Sequence, residues 1–284
     1  MQITEPKEML RSAHPVEPHM RAQVLDALRD IEARHDVTVL FACESGSRGW
    51  GFASPDSDYD VRFIYVNRLP WYLTVAPGRD VIEVPISGDL DINGWDLRKA
   101  LGLLRESNPT LLEWLGSPIV YREEAETMAQ FRTLAAQVFS NAKGWHHYAS
   151  MAKKNFREHL QADAVRYKKY LYVLRPLLAA RWIRTQPGVP PMRFAELAQH
   201  TLHPVHDAAL VDEINALLEV KMRAGEAATS PRWPGIHAFI EAELARNAAE
   251  PVQPLPVPGH AALDALLHET VLRYGEEKAA RNSG

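Results

Sequence analysis

The periodicity of the apolar residues changes once along this chain, and that change limits the folds it can adopt. Up to about residue 123, short β-type runs alternate with helical stretches, whereas almost everything from residue 124 onward has helical spacing. The predicted elements of the first part are a helix at 19–35 and strands at 37–42, 59–66, 80–86 and 90–95. Asp96 is predicted as the N-cap of a helix that follows the last strand.

These patterns predict an α+β fold in two domains. A domain of residues 1–123 would carry a mixed sheet with helices, and residues 124–284 would form an all-helical domain that binds nucleotide or substrate. The helices predicted in the second domain cover 124–140, 143–162, 164–184, 193–200, 207–225, 234–248 and 260–280.

The composition excludes several classes of protein. With 46% hydrophobic and 24% charged residues, the chain does not have the composition of a disordered protein. Its one cysteine, Cys43, cannot form a disulfide within the chain and is predicted to be a small buried residue rather than a nucleophile. No run of about 18 apolar residues exists, and the N-terminal stretch lacks the apolar core of a signal peptide. We therefore expect a soluble, cytoplasmic protein with no membrane partner.

Two short motifs carry the chemistry of the first domain. Gly46-Ser47-Arg48-Gly49 follows the first predicted strand, and its backbone N–H groups and serine hydroxyl suit a phosphate. Asp58 and Asp60 are two residues apart at the start of the next strand, so their carboxylates would share one face. Two adjacent carboxylates repel each other unless a cation offsets their charge, and Mg²⁺ prefers such oxygen ligands. This order predicts a nucleoside triphosphate bound through a divalent metal.

These motifs resemble those of the DNA polymerase β-like nucleotidyltransferases, in which Gly-Ser precedes Asp-x-Asp and a third carboxylate lies on a later strand. Within that superfamily the chain is most similar to the predicted nucleotidyltransferase family associated with RNA ligases. The segments that carry this similarity are GSRGWGFASPDSDYDVRFIYV, DINGWDLRKAL, NPTLLEWLGSPIVY and KKYLYVLRPLLAARWI. The resemblance implies an enzyme that uses Mg²⁺ or Mn²⁺ to transfer a nucleoside monophosphate from an NTP to a hydroxyl group.

The resemblance also implies roles for individual residues. Asp58 and Asp60 match the metal-binding pair, and Gly46 and Ser47 match the turn that grips the triphosphate. Asp91, between two apolar residues, best fits the third acid, which would complete the metal site and help to deprotonate the incoming hydroxyl. The weaker candidates for that place are Asp89, Glu83 and Asp96.

Two arginines lie close to these motifs in sequence. Arg48 could contact phosphate or pair with Glu44 or Asp56. Arg62, two residues beyond Asp60 on the same strand face, could neutralise the acids or bind phosphate. Both are candidate nucleotide-binding residues, and the pattern alone leaves these alternatives open.

The helical part carries an uneven charge. Residues 143–184 contain ten Lys or Arg against two acids, Glu158 and Asp163, a net charge of +8 in a chain whose total is −4. Such a concentration suits a triphosphate or an RNA backbone. Within it, Lys168, Tyr172 and Arg175 share one helical face and are predicted to contact nucleotide. The alternative is that they only flank a buried stripe formed by Tyr167, Leu171, Leu174 and Leu178.

The acceptor of the transfer is not identified by any motif. The resemblance and the basic segment favour an RNA end, in a tRNA or a broken RNA, whose binding should depend steeply on salt. A small molecule or a protein side chain is the alternative acceptor. Outside enzyme classes, the chain could be a non-catalytic RNA-binding or antitoxin-like module. Which NTP is used and how the chain oligomerises cannot be inferred from the sequence.

Overall fold

The computed structural model of the protein describes residues 8–12, 14–162, 164–223 and 229–275. Asp163 and the ends of two predicted helices, residues 224–225 and 276–280, lie outside these ranges. The strands are β1 (Thr38–Glu44), β2 (Tyr59–Val66), β3 (Val81–Glu83), β4 (Leu90–Asp96), β5 (Val120–Glu123), β6 (Ala164–Arg166) and β7 (Thr229–Pro231). The helices are α1 (Pro18–His35), α2 (Gly46–Trp50), α3 (Leu69–Tyr72), α4 (Leu97–Arg105), α5 (Pro109–Leu115), α6 (Ala125–Val138), α7 (Asn141–His159), α8 (Tyr167–Thr185), α9 (Phe194–Thr201), α10 (Ala208–Arg223), α11 (Pro234–Ala249) and α12 (Ala261–Gly275).

The chain divides into two compact units that are each discontinuous in sequence. The sheet unit comprises Val16–Gly46, Asp58–Phe139 and the described part of Pro256–Gly284. The helical unit comprises the described part of Met1–Pro15, Ser47–Ser57 and the described part of Ser140–Leu255. The predicted single division after residue 123 stays a prediction.

The sheet unit is built on five strands in the order β3-β4-β2-β1-β5. All neighbouring pairs are antiparallel except β2 and β4, which are parallel, so the sheet is mixed as predicted. Helix α1 contributes Val24, Leu28 and Ile31 to the core, because their spacing places them on one face of the helix. The strand predicted at 80–86 is shorter, since only Val81–Glu83 is assigned to it.

The last helix, α12, belongs to the sheet unit. It packs against α4, α6 and β2 and buries Leu263, Leu266 and Val271. Its C-terminal end is held by Arg68, whose Nη1 donates to the carbonyl oxygen of Tyr274 at 2.7 Å. Helical periodicity identified this segment as a helix, but periodicity carries no information about which unit a helix joins.

The helical unit is organised around α8, which packs against α7, α9, α10 and α11. This central position explains why residues 170–180 of α8 are buried on every face of the helix except at Tyr172. The helix predicted from residue 164 begins at Tyr167 instead, because Ala164–Arg166 pairs with Thr229–Pro231 as an antiparallel strand.

The α+β fold class, with a mixed sheet and a helical part, is confirmed. Across the described ranges, no helix combines the length and apolarity needed to cross a membrane.

Candidate active site

The acids of the predicted site lie on neighbouring parallel strands. Asp60 on β2 and Asp91 on β4 are register partners. The guanidinium group of Arg62 bridges them, since its Nη2 lies 3.0 Å from Asp60 Oδ1 and 2.8 Å from Asp91 Oδ2. The Nη1 atom of Arg62 also donates to the backbone carbonyl oxygen of Asp91 at 3.1 Å. Of the two roles open to Arg62, the structure displays the first, offsetting the charge of the two carboxylates.

A buried acid on the adjacent strand accepts a hydrogen bond from the backbone of Asp60. Glu44 is fully buried at the end of β1, and its Oε1 accepts the backbone N–H of Asp60 at 2.8 Å. Its other carboxylate oxygen accepts a hydrogen bond from the hydroxyl of Tyr121. The backbone N–H of Ser45 in turn donates to the carbonyl oxygen of Asp60 at 2.8 Å. Sequence reasoning missed this role of Glu44, although an acid ending an otherwise apolar strand is a signal that it has fixed partners.

Gly46 is required where the chain leaves β1. Its φ angle of +55° is in the left-handed region, and a Cβ atom there would lie 1.9 Å from Oδ2 of Asp60. A side chain at this position would therefore displace the Asp60 carboxylate. The glycine of the predicted phosphate turn thus lets the backbone pass directly beside one of the predicted metal ligands.

The third member of the predicted ligand set, Asp58, is an exposed residue immediately before β2. The strand that follows is anchored by the backbone N–H of Tyr59, which donates to the carbonyl oxygen of Asp89 at 2.7 Å. Among the residues that the structure describes, no group of three or more His, Cys, Asp or Glu side chains is arranged to hold a metal ion. The ligand set of Asp58, Asp60 and Asp91 stays a prediction.

In the helical unit, the segment after the glycine forms a tight turn. The carbonyl oxygen of Ser47 accepts the backbone N–H groups of Gly51 and Phe52 at 3.1 and 3.0 Å. Arg48 is only 7% exposed, and its Nη2 donates to the carbonyl oxygen of Ser57 at 2.8 Å. Arg48 therefore ties the two ends of this loop together, and phosphate contacts by Ser47 and Arg48 stay predictions.

A buried lysine that the sequence analysis did not select also holds this loop. Lys221 on α10 is 3% exposed, and its Nζ lies 3.0 Å from Ser54 Oγ and 3.3 Å from Ser57 Oγ. The sequence pattern that could have predicted its burial is its place on the apolar face of α10, seven residues after the buried Ile214. A lysine at a core-facing position must satisfy its charge with polar partners.

The three predicted nucleotide contacts of α8 differ in their surroundings. Arg175 is buried, with its guanidinium carbon 4.9 Å from the ring centroid of Trp50, and it donates to the carbonyl oxygen of Met192 at 3.3 Å. Tyr172 meets the same Trp50 ring edge-on, with 5.8 Å between centroids. Lys168 is half-buried. Tyr172 and Arg175 thus share a face as predicted, while nucleotide binding by these residues is untested.

Part of the positive charge counted in residues 143–184 is compensated by more distant residues. Arg181 lies 3.4 Å from Glu243 and 3.8 Å from Asp207, and Arg184 lies 3.6 Å from a carboxylate oxygen of Glu250. A charge count over a sequence window omits acids contributed by other helices. The net +8 therefore overstates the positive charge at the end of α8, and the basic residues of α7 contribute more of the exposed charge.

The predicted burial of Cys43 and the predicted capping role of Asp96 are both confirmed. Cys43 is fully buried in β1, and burial raises the pKa of its thiol far above the ordinary value, as expected of an unreactive core cysteine. Asp96 caps α4 by accepting the backbone N–H of Arg98 at 2.8 Å. The other carboxylate oxygen of Asp96 accepts from Asn67 and Tyr72, and burial raises the pKa of this carboxyl group.

This chain is similar to a protein family and to two known proteins. The family model RlaP, described as the RNA repair pathway DNA polymerase beta family, matches residues 20–269. The uncharacterized protein YcgL of Bacillus subtilis (strain 168) is 47% identical over 227 residues, which cover 80% of this chain and 86% of that protein. A solved nucleotidyltransferase-like protein from Exiguobacterium sibiricum is 13% identical, covering 89% of this chain and 76% of that one. The TM-score of this match is 0.29.

Proposed function

Because this chain belongs to the RNA repair pathway DNA polymerase beta family, a nucleotidyltransferase family, we propose that it transfers a nucleoside monophosphate from an NTP to a hydroxyl group at an RNA end. The observation that carries the proposal is the pairing of Asp60 with Asp91 on adjacent parallel strands, directly beside Gly46. Two acids and a close-passing glycine turn are the parts that the motif requires.

The donor chemistry fits a divalent metal. The proposed ligands Asp58, Asp60 and Asp91 offer hard carboxylate oxygens of the kind that Mg²⁺ and Mn²⁺ prefer. When bound, such a cation would lower the pKa of the attacking hydroxyl and offset charge on the leaving pyrophosphate. Arg62 already supplies positive charge between Asp60 and Asp91, and so keeps two repelling carboxylates close together.

The chain's own residues would perform the remaining tasks. Asp91 would accept the proton of the incoming hydroxyl as general base. Glu44 would fix Asp60 through the backbone hydrogen bond, so that the carboxylate keeps its orientation. Gly46, Ser47 and Arg48 are the proposed triphosphate contacts next to the acids in sequence.

The second group of proposed nucleotide contacts comes from the helical unit. Lys168, Tyr172 and Arg175 on α8 combine two positive charges with an aromatic ring and a hydroxyl, which suits a triphosphate and its nucleoside. The RNA acceptor is supported by the family description.

Incubation with each α-³²P-labelled NTP, with Mg²⁺ or Mn²⁺ and with total RNA, tests the proposal. Label should enter RNA with the wild-type protein and fail to do so with Asp60→Asn. Asp26→Asn, which changes an exposed acid of α1, should label RNA at the wild-type rate. Label in protein or in a small molecule would replace the RNA acceptor with one of those classes. No label in any fraction would contradict catalysis.

A further inference from the structure

A groove between α7 and α11 lies within the helical unit, and none of the proposed metal or nucleotide contacts lines it. It has a volume of about 470 Å³, within the range of roughly 300–1,000 Å³ that ligand sites occupy. Trp145 and Phe156 of α7 and Leu244 of α11 supply aromatic and aliphatic surface to it. We call it the α7–α11 groove.

A lysine, an arginine and a histidine line one side of this groove. His146, Lys153 and Arg157 are exposed, and their spacing of seven and four residues puts them on one face of α7. No carboxylate occurs among the described residues that line the groove. The neighbouring Lys154 is not part of the lining and lies 4.0 Å from Glu158 instead. The groove thus combines an apolar floor with positive charge that no lining acid offsets.

Two buried donors belong to residues that line the groove, one on each helix. Within the described ranges, the indole Nε1 of Trp145 and the amide Nδ2 of Asn247 have no hydrogen-bond partner. The Oδ1 atom of Asn247 accepts from Arg184 at 2.9 Å, which fixes the amide orientation and identifies Nδ2 as the remaining donor. A buried donor without a hydrogen-bond partner lowers the stability of the folded chain. A ligand acceptor that reaches either donor would recover this free energy.

We propose that the α7–α11 groove binds one nucleotide of a single RNA strand. The base would pack on Trp145 and Phe156, and its carbonyl or ring-nitrogen acceptors would meet the donors of Trp145 and Asn247. The flanking phosphates would bind Lys153 and Arg157. A single strand is required because a base within a duplex cannot reach an aromatic floor. This inference rests on the proposed function, since the RNA bound here would be the acceptor of nucleotidyl transfer.

Fluorescence anisotropy with a labelled 20-nucleotide single-stranded RNA tests the groove without NTP or divalent metal. Each phosphate contact on a single strand contributes about 0.7 to the slope of log K against log salt, which is about fivefold in affinity at 0.1 M. Lys153→Ala should therefore bind about fivefold more weakly, and Lys153→Ala with Arg157→Ala about 25-fold, with a slope smaller by about 1.4. Lys154→Ala, the matched change outside the groove, should bind like the wild type.

A second variant tests the apolar floor without changing charge. Ala245→Trp fills the groove from α11 and should weaken RNA binding about tenfold, the effect of losing one stacked base. Ala242→Trp, at an exposed position of α11 outside the groove, should leave the affinity unchanged. Thermal melting of all variants monitors folding.

The outcomes separate the groove from the reaction. Equal RNA affinity for the Lys153 and Lys154 variants, an unchanged affinity of Ala245→Trp, or no RNA binding by the wild type would each overturn the proposal. Equally tight binding of polyglutamate would also overturn it, since an acidic peptide uses the charges but not the donors.

If the wild type binds RNA through the groove but labels no acceptor, the groove stands and the proposed reaction fails. If labelling depends on Asp60 while the groove variants bind and label RNA normally, the reaction stands and the groove fails.

Discussion

The charged groups of the two units are compensated in different ways. In the sheet unit, the guanidinium group of Arg62 offsets the negative charge of two carboxylates. Asp60 is two residues away on β2, and Asp91 is the register partner of Asp60 on the paired strand β4. In the helical unit, the buried Lys221 is satisfied by the hydroxyls of Ser54 and Ser57, which are 167 and 164 residues away in the chain.

This difference shows that strand geometry determines the partners of a charged residue in one case and that helix packing determines them in the other. Alternation along β2 and its register with the parallel strand β4 place Arg62, Asp60 and Asp91 together, and alternation can be applied directly to a sequence. The surroundings of a charged residue on a helix are set by whichever segment packs against it, and no local rule names that segment. If the comparison is right, replacing an acid of the sheet-unit pair should act on chemistry, whereas replacing Lys221 of the helical unit should act on folding.

The largest expected effect is on catalysis and tests the choice of third acid. Asp91→Asn should lower the rate of nucleotidyl transfer by roughly 1,000-fold, because it removes a proposed metal ligand and the proposed base. Asp89→Asn, two residues earlier and exposed, should leave the rate close to that of the wild type, because its side chain has no proposed role in the transfer. Transfer of α-³²P-labelled NMP in single-turnover assays measures both. A larger loss in Asp89→Asn than in Asp91→Asn would reassign the third acid.

The same division explains how much of the molecule could be predicted. The strands that carry Asp60 and Asp91 and the capping role of Asp96 follow from alternation and cap chemistry, which act within a few residues. The β6–β7 pair was missed because it joins segments about 65 residues apart and replaces the first turn of a predicted helix. The partners of Arg181 were missed for the same reason, since Glu243 and Asp207 lie on other segments.

Gly46 offers a test of how closely the backbone packs against the Asp60 carboxylate. Gly46→Ala should lower the free energy of unfolding by about 3 kcal/mol, because it adds a Cβ at the Asp60 carboxylate to the strain of a positive φ. Gly88→Ala is the matched control, since Gly88 has a φ of +60° with nothing within 4 Å of the added Cβ, and should cost about 1 kcal/mol. Urea unfolding measures both. Equal losses would show that the Asp60 carboxylate moves aside without cost.

Lys221 tests the corresponding claim for the helical unit. Lys221→Met keeps the aliphatic stem but removes the donor to Ser54 and Ser57, and should lower the free energy of unfolding by about 2 kcal/mol. Arg223→Met, an exposed position on the same helix, should stay within about 0.5 kcal/mol of the wild type. The single-strand RNA affinity of Lys221→Met should remain unchanged, because the residue is buried and does not line the α7–α11 groove. Unchanged stability would mean that the lysine is not the cation that holds this loop.

Arg62 gives the smallest expected effect, but it connects the geometry of the acids to the proposed metal most directly. Without divalent metal, Arg62→Gln should lower the free energy of unfolding by about 1 kcal/mol, since it leaves Asp60 and Asp91 facing each other without a cation and the site is partly exposed.

Mg²⁺ should reverse this loss, because a cation that binds the folded chain more tightly than the unfolded one stabilises it, and the variant no longer has a guanidinium group competing for the same carboxylates. Arg79→Gln, which breaks an exposed ion pair with Glu83, should show no dependence on Mg²⁺ beyond that of the wild type. Equal destabilisation of Arg62→Gln at every Mg²⁺ concentration would contradict a metal at these acids. A rescue confined to Arg62→Gln would mean that guanidinium and metal compensate the same two charges, so that the arginine preserves the spacing of the acids until the metal binds.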